Sequence, residues 1–231
     1  MGLTALERQL WRKRDLEIAL GKLEAHPRPK LALEQYTIPA KTAAEILFIA
    51  SEIYDDIEGK RVVDLGCGSG RLAIGSAMLG AHQVIAIDID PTAIKVAKKN
   101  AEVADVKEKV QWIVSDLNAL SGNFDTAIQN PPFGVRRRGA DRKFIEKAVE
   151  TAGVTYSLHR SGERSREFIK RMVEKHSGVV SALFEMELTI PKIFPFHERK
   201  KHMIKVDLYR IVSKCQKGKA VNSSSQAKSS A

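Results

Sequence analysis

Cysteine is nearly missing from this chain: Cys67 and Cys215 are the two among 231 residues. They stand far apart and match no ligand spacing, so neither a disulfide framework nor a metal centre is expected, and a reducing compartment suits them. Long apolar runs are missing too, since the longest nearly apolar stretch, residues 72–81, is too short to cross a bilayer. The first ten residues carry charge and hold no apolar signal core, which leaves a cytoplasmic address and no membrane as the expectation. The glycine-rich stretch near residue 66 lacks the lysine of a phosphate-binding P-loop. No nucleophile-base set and no internal repeat is evident.

What remains is a soluble globular composition, 43% apolar and 29% charged. Its length fits one domain of moderate size with short appendages. Charge is unevenly spread. Residues 1–59 carry a balance of −2 and residues 60–130 a balance of zero, whereas residues 131–231 hold 22 Lys/Arg against 10 Asp/Glu. A one-sided surplus of +12 attracts polyphosphate, and the tail at 214–231 supplies only +4 of it. Nucleic acid is therefore the expected partner.

Leucines at helical intervals predict a helix over residues 4–24, ended by the His26-Pro27-Arg28-Pro29 break. A second helix is read over residues 40–54. Residues 61–65 form a short buried-strand pattern that runs into Gly66-Cys67-Gly68-Ser69-Gly70 and then a helix over residues 71–79. Strand, glycine loop, helix is the crossover of nucleotide-type cofactor folds. Further strands are read at 83–87, 109–114, 124–129 and 154–159, with helices from Pro91, over 141–151 and over 163–175. Residues 179–188 and 203–212 close the pattern as an antiparallel pair. The predicted class is α/β, a Rossmann-like, seven-stranded, doubly wound and mostly parallel sheet with an antiparallel C-terminal hairpin. Residues 1–59 are expected to form a helical leader over the cofactor mouth, 60–213 the main domain and 214–231 a disordered basic tail.

The loop reads G-x-G-x-G and misses the last glycine of the dinucleotide fingerprint. Asp64 just before it would repel a pyrophosphate. A cationic ligand matches better, and the sulfonium and amino group of S-adenosylmethionine supply one. Asp88 ends the second strand, 18 residues after Gly70, where such folds hydrogen-bond a ribose. Asp116, after the third strand, is placed to accept from an adenine amino group. That third strand is uncharged over Val110–Val114 and is an edge if the sheet is doubly wound, so it invites a protein partner.

The fourth strand stops at Asn130-Pro131-Pro132-Phe133. Two prolines forbid helix and ladder, so the turn is stiff and points the Asn130 carboxamide from the carboxyl edge of the sheet. An exocyclic adenine amine is a poor nucleophile, because its lone pair is delocalised into the ring. Acceptors on its hydrogens, from the Asn130 oxygen and the Pro131 carbonyl, would favour a more tetrahedral amine without a strong base. Phe133 would stack on a base turned out of its strand. Arg136, Arg137 and Arg138 follow directly, and a second cationic stretch carries His197, Lys200 and Lys201 among aromatics.

With these residues in view, the sequence resembles class I methyltransferases carrying the NPPF form of the [DNS]-PP-[YFW] motif. It is most similar to the methyltransferase-like protein 5 family of small-subunit ribosomal RNA adenosine N6-methyltransferases. The resemblance covers residues 28–212 and rests on LEQY (33–36), YDDIEGK (54–60), DLGCGSG (64–70), AMLGA (77–81), DID (88–90), NPPFG (130–134), YSLH (156–159) and FH (196–197). It implies that Gln35, Gly66, Ser69, Asp88, Asp116 and Leu117 touch the cofactor and that Asn130, Pro131, Pro132 and Phe133 are catalytic. Asp64, Gly68 and Gly70 complete the expected cofactor cradle. The family pattern continues as LEQYPT, whereas here Thr37 comes one place early and Ile38 follows it. Thr37 is accordingly the nearest threonine for that contact. The resemblance also implies a small zinc-binding activator protein on the edge strand. The competing expectations are a protein glutamine N5-methyltransferase, whose motif is NPPY, and a catalytically silent RNA scaffold that binds the cofactor.

Overall fold

The computed structural model describes residues 12–133, 139–191 and 201–214. Its leader holds α1 (Lys13–Gly21), a 3-10 turn (Leu31–Leu33) and α2 (Ala40–Phe48), which runs into a wide π turn over Ile49–Ile53. The alternating part follows as β1 (Arg61–Leu65), α3 (Arg71–Met78), β2 (Gln83–Asp88), α4 (Pro91–Val103), β3 (Val110–Val114) and β4 (Phe124–Gln129). Next come α5 (Ala140–Thr151), β5 (Ala152–Arg160), α6 (Glu163–Lys175), β6 (Gly178–Pro191) and β7 (Lys201–Ser213).

The sheet order is β3-β2-β1-β4-β5-β7-β6. β1 to β5 run parallel, and β7 lies antiparallel between β5 and β6. This is the doubly wound sheet with a closing hairpin that the sequence predicts, and β3 is indeed an edge. The order reverses at β1, which pairs with β2 on one side and β4 on the other. β1 is buried on both faces: Val62, Val63 and Leu65 have no exposed surface. That explains why Val62, Val63 and Leu65 are apolar on both faces with Asp64 as the interruption, because helices cover each side of a parallel sheet.

On one face Leu16 and Leu20 of α1, Ile46 and Leu47 of α2, Ile74 of α3 and Ile94 of α4 join one core with Val62 and Ile128. The leader is thus packed into the main sheet's core. On the other face α5 sits on Val63, Leu65 and Ala127, and α6 packs beside it through Ile169, Met172 and Val173. A buried polar knot ties the leader's exit to the far strands. Tyr156 Oη donates to Asp56 Oδ2 at 2.6 Å, Arg210 Nε donates to the same oxygen at 2.9 Å, and the Arg210 guanidinium lies 4.3 Å from the Tyr54 ring centroid. These contacts join the YDDIEGK and YSLH motifs in space.

Pro91 sits at the first turn of α4, where its missing N–H is harmless, and Asp90 caps that helix by accepting from Thr92 N–H at 3.0 Å. No helix among the described residues is long and apolar enough to cross a membrane.

Candidate active site

Gln129 of β4 and Ile87 of β2 both stand opposite Leu65 of β1. The next residues, Asn130, Gly66 and Asp88, therefore leave the sheet at one height, at the reversal point where open α/β sheets bind ligands. A cavity of about 410 Å³ opens above this row. The glycine loop floors it through Gly66, Gly68 and Ser69, and the ends of β2 and β3 wall it with Asp88, Ile89, Asp116 and Leu117. Asn130, Pro131 and Pro132 close one side with Lys143 and Phe144 of α5, and Gln35, Tyr36 and Thr37 of the leader cover the top.

Two glycines shape the floor. Gly66 has φ +71°, and a Cβ there would stand 2.8 Å from the Phe144 ring. Gly70, at φ +86°, starts α3 with Trp112 2.7 Å from where its Cβ would be. Gly70 consequently lies behind the cavity wall and seats the loop against β3. The Asp88 carboxylate braces the loop, accepting from Gly68 N–H at 2.8 Å and from Asp90 N–H at 2.9 Å. Those bonds leave it further lone pairs for a ligand's hydroxyls. Burial pushes its carboxyl up against the effect of these two N–H donors. Asp116 turns its Oδ1 to Asn118 N–H, so the carboxylate that faces the cavity also caps the next 3-10 turn.

Asp64 is the most perturbed acid of the site. Its Oδ2 accepts from Ala73 N–H at 2.9 Å, while its Oδ1 is buried without a partner. Burial pushes its pKa up to about 8, the Ala73 N–H opposing and Asp88 adding to the rise. An orphaned buried carboxylate oxygen on a cavity wall asks for a cationic donor. The α-amino group of S-adenosylmethionine is such a donor, and the uncrowded Gly68 leaves backbone open beside it. The residues present fit that cofactor.

The cover over the cavity is held by a residue that no local pattern marks as functional. Asp90 is buried, with Gln35 Nε2 at 3.1 Å, Lys30 Nζ at 3.1 Å and His26 Nε2 at 3.3 Å of its carboxylate. Burial alone would raise its pKa, but the bonds from Gln35, Thr92 N–H and Lys30 outweigh it and hold the carboxyl at about 2. Gln35 closes its own loop as well, accepting from Lys30 N–H at 2.8 Å through Oε1. Thr37 lines the cavity with its hydroxyl oxygen accepting from His26 N–H at 3.0 Å. Arg71 locks the same segment from below through the Ile38 and Leu23 carbonyls, at 2.6 and 3.1 Å.

At the motif turn, Asn130 Oδ1 accepts from the Tyr36 hydroxyl at 2.6 Å. The Phe133 ring lies against Tyr36, with centroids 5.9 Å apart and planes inclined by 33°, and it stands back from the cavity lining. Beneath the turn runs a buried polar chain. Gln129 Nε2 donates to Ser157 Oγ at 2.8 Å, and Ser157 Oγ lies 2.6 Å from His159 Nε2. Burial drives His159 down to about 3, so the ring is neutral, and its tautomer sets which of Nε2 and the serine hydroxyl donates. The structure thus brings together twelve sequence-predicted residues: Gln35, Thr37, Asp64, Gly66, Gly68, Ser69, Asp88, Asp116, Leu117, Asn130, Pro131 and Pro132. Arg136, Arg137, Arg138, His197 and Lys200 lie outside the described residues, and of Lys201 only its backbone place in β7 is described. Among the described residues no His/Cys/Asp/Glu group is arranged to hold a metal ion.

Comparison with known proteins agrees with this geometry. The family model for ribosomal protein L11 methyltransferase (PrmA) matches residues 42–130, the stretch from α2 through the strand ends to the first residue of the motif turn. The rRNA N6-adenosine-methyltransferase METTL5 of Danio rerio is 33% identical over 85% of this chain and 97% of its own. A crystal structure from Pyrococcus horikoshii, of a protein proposed to be an RNA methyltransferase, has 39% identity and a TM-score of 0.83 over 88% of this chain and 98% of its own. For the fold alone, the magnesium protoporphyrin IX methyltransferase of Synechocystis, solved with bound S-adenosylmethionine, superposes with a TM-score of 0.57 at 18% identity over 75% of this chain and 78% of its own. A chain that is 33% identical to a METTL5 protein along nearly the whole of that relative, and that folds as a doubly wound sheet with a cavity at its reversal point, is a methyltransferase that uses S-adenosylmethionine, and it belongs to the METTL5 family of rRNA N6-adenosine methyltransferases.

Proposed function

We propose that this enzyme methylates N6 of an adenosine in structured RNA, small-subunit ribosomal RNA in the first instance. One observation carries the reading: the Asn130 carboxamide and the unpaired Asp64 carboxylate open on the same cavity from adjacent strands. S-adenosylmethionine, when bound, supplies the methyl group that the amine's lone pair takes from sulfur. The chain's part is placement. Asp64 receives the amino group, Asp88 the ribose hydroxyls and Asp116 the adenine amine, with Gly66, Gly68, Ser69 and Leu117 shaping the bed and Gln35 and Thr37 the cover. Asn130 Oδ1 and the Pro131 carbonyl accept the target amine's two hydrogens and turn its lone pair toward the methyl, with Pro132 stiffening the turn. Alignment of this kind carries much of the rate when no proton need leave first. Phe133 offers the purine a stacking face.

Arg136, Arg137, Arg138, His197, Lys200 and Lys201 are read as phosphate contacts of the RNA. In the same reading residues 1–59 cover the cofactor site, 60–213 carry catalysis in the cytoplasm and 214–231 form a basic tail. We place a small zinc-binding activator protein on β3, whose apolar edge includes Val114 at 50% exposure. Recovery of such a partner with the wild-type chain, and its loss from Val114→Lys, would test that docking.

Labelled cofactor offered with ribosomal RNA, ribosomal protein and DNA separates the alternatives. Label in RNA alone, at adenosine N6, is expected. Label in protein would favour glutamine methylation, and label in none, with cofactor and RNA both bound, would favour the silent scaffold. Asn130→Ala should abolish transfer and keep cofactor affinity within a few-fold. Equal loss of both would assign Asn130 to folding or cofactor binding instead.

A further inference from the structure

The acceptor that the reaction needs is occupied by the protein itself. Tyr36 comes from the leader, 94 residues away from Asn130, and its hydroxyl donates to Asn130 Oδ1. Burial pushes the phenol above its ordinary range, against the Asn130 bond, so it stays a protonated donor. Its ring lies beside Phe133, the second group a bound purine would use. A flat base sandwiched between two rings needs about 7 Å between their centroids, since each stacking gap takes about 3.5 Å. The observed 5.9 Å, with a 33° tilt, admits none.

We infer that Tyr36 is a stand-in for the target nucleoside, its ring taking the place of the purine against Phe133 and its hydroxyl the place of the exocyclic amine on Asn130. It makes Tyr36 a specificity-determining residue, and the inference rests on Asn130 being the amine's acceptor. A free adenosine or short oligonucleotide brings little binding energy from outside the site to displace the tyrosine. A folded RNA held by remote phosphate contacts brings enough, and such remote binding is what enzymes convert into events at the reacting centre. The hydroxyl thereby keeps water and small amines from the activated methyl until the proper strand arrives.

The anchoring of the leader supports the same role. Gln35 is fastened to Asp90 just before Tyr36, Thr37 holds His26 N–H just after it, and the backbone turns at Glu34 with φ +51°. The main chain is therefore pinned on both sides of Tyr36, and the side chain is the part that moves. A tyrosine can leave Asn130 by rotating about its own χ angles while the cover over the cofactor stays shut.

The test compares kcat/KM on folded ribosomal RNA with that on a short unstructured adenosine-containing oligonucleotide, for wild type and Tyr36→Phe. The phenylalanine keeps the ring and its packing but frees Asn130. A rise of several-fold on the oligonucleotide with little change on folded RNA is expected. Loss on both substrates by the same factor would overturn the inference and make the hydroxyl an orienting group for Asn130. No change on either would show that the contact is idle. A fluorine label at residue 36, introduced as 3-fluorotyrosine, gives a readout free of turnover: its resonance should move when substrate RNA binds and stay put with cofactor alone. A resonance indifferent to RNA would also overturn the inference. Retained activity in Asn130→Ala would instead sink the underlying assignment of the acceptor, and so the two failures are told apart.

Discussion

Binding of cofactor to this protein should release a proton at neutral pH, because of Asp64. In the free chain burial holds this carboxyl at about 8, so it is largely protonated at pH 7, where the amine of a free amino acid is an ammonium. Once paired, the two groups share a single proton between carboxylate and ammonium. At pH 7 the separate groups together hold about 1.9 protons, so binding should release about 0.9. Titration calorimetry with S-adenosylhomocysteine, which keeps the amine and cannot react, measures this release from the dependence of heat on buffer ionisation enthalpy. Below pH 8 affinity should fall toward about tenfold per pH unit. In Asp64→Asn the release at pH 7 should vanish and affinity drop at least about tenfold, the loss of one charge-assisted bond. The unliganded protein supplies a second check. Its native state holds a proton that the unfolded chain, with an ordinary carboxyl, has already lost. Between pH 4 and 8 this group therefore makes stability fall as pH rises, at up to about 1.4 kcal/mol per unit. Buffer-independent heats at pH 7 would mean that Asp64 is already ionised, and the burial argument would be refuted.

Three other perturbations test the scaffold of the site. Asp90→Asn should cost about 1–2 kcal/mol at neutral pH, an amount discounted because Lys30 is half exposed, and hydrogen exchange over residues 30–37 should quicken. The Asp90 contribution is present above the ordinary carboxyl range and lost as pH falls through about 2, so the variant and wild type should converge in strong acid. Asp56→Ala leaves Tyr156 and Arg210 without their acceptor and should cost about 3–5 kcal/mol in urea denaturation, with part regained when Arg210→Met is added. A cost under about 1 kcal/mol would show the knot to be solvated. Gly70→Ala sets a side chain in left-handed backbone and against Trp112, and should cost about 2–4 kcal/mol with a change in tryptophan emission.

Periodic and covalent signals made the scaffold legible. A short apolar run at β1 interrupted by Asp64, glycines where φ is positive and a Pro-Pro stop after β4 each announce themselves within a few residues, and they place Asp64, Asp88 and Asn130 at or beside strand ends. Asp90 is legible in the sequence only as the last residue of the DID motif, and its cap on α4 comes from the structure. Its second duty, gripping Lys30 and Gln35, depends on a chain segment 55 residues upstream in the case of Gln35. No local pattern can report such a contact. The same holds for the Asp56 knot, whose partners come from β5 and β7, and for Phe133, whose aromatic neighbour decides whether a base can stack there.

Tyr36 shows what kind of information is lost. A tyrosine in a Pro-flanked linker has the composition of surface, and its hydroxyl finds Asn130 only because α1 and α2 bury their leucines against α3 and carry the linker across the rim. Apolar packing far from the chemistry thus fixes which polar group meets the acceptor. The consequence is directional: loosening α1 should free Tyr36 from Asn130 without touching either residue. Leu20→Ala, in a side chain with no exposed surface, should cost about 2–5 kcal/mol locally and shift methylation toward short oligonucleotides as Tyr36→Phe does. Loss of stability with an unchanged ratio between the two substrates would show that the leader's packing and the gate at Asn130 are independent.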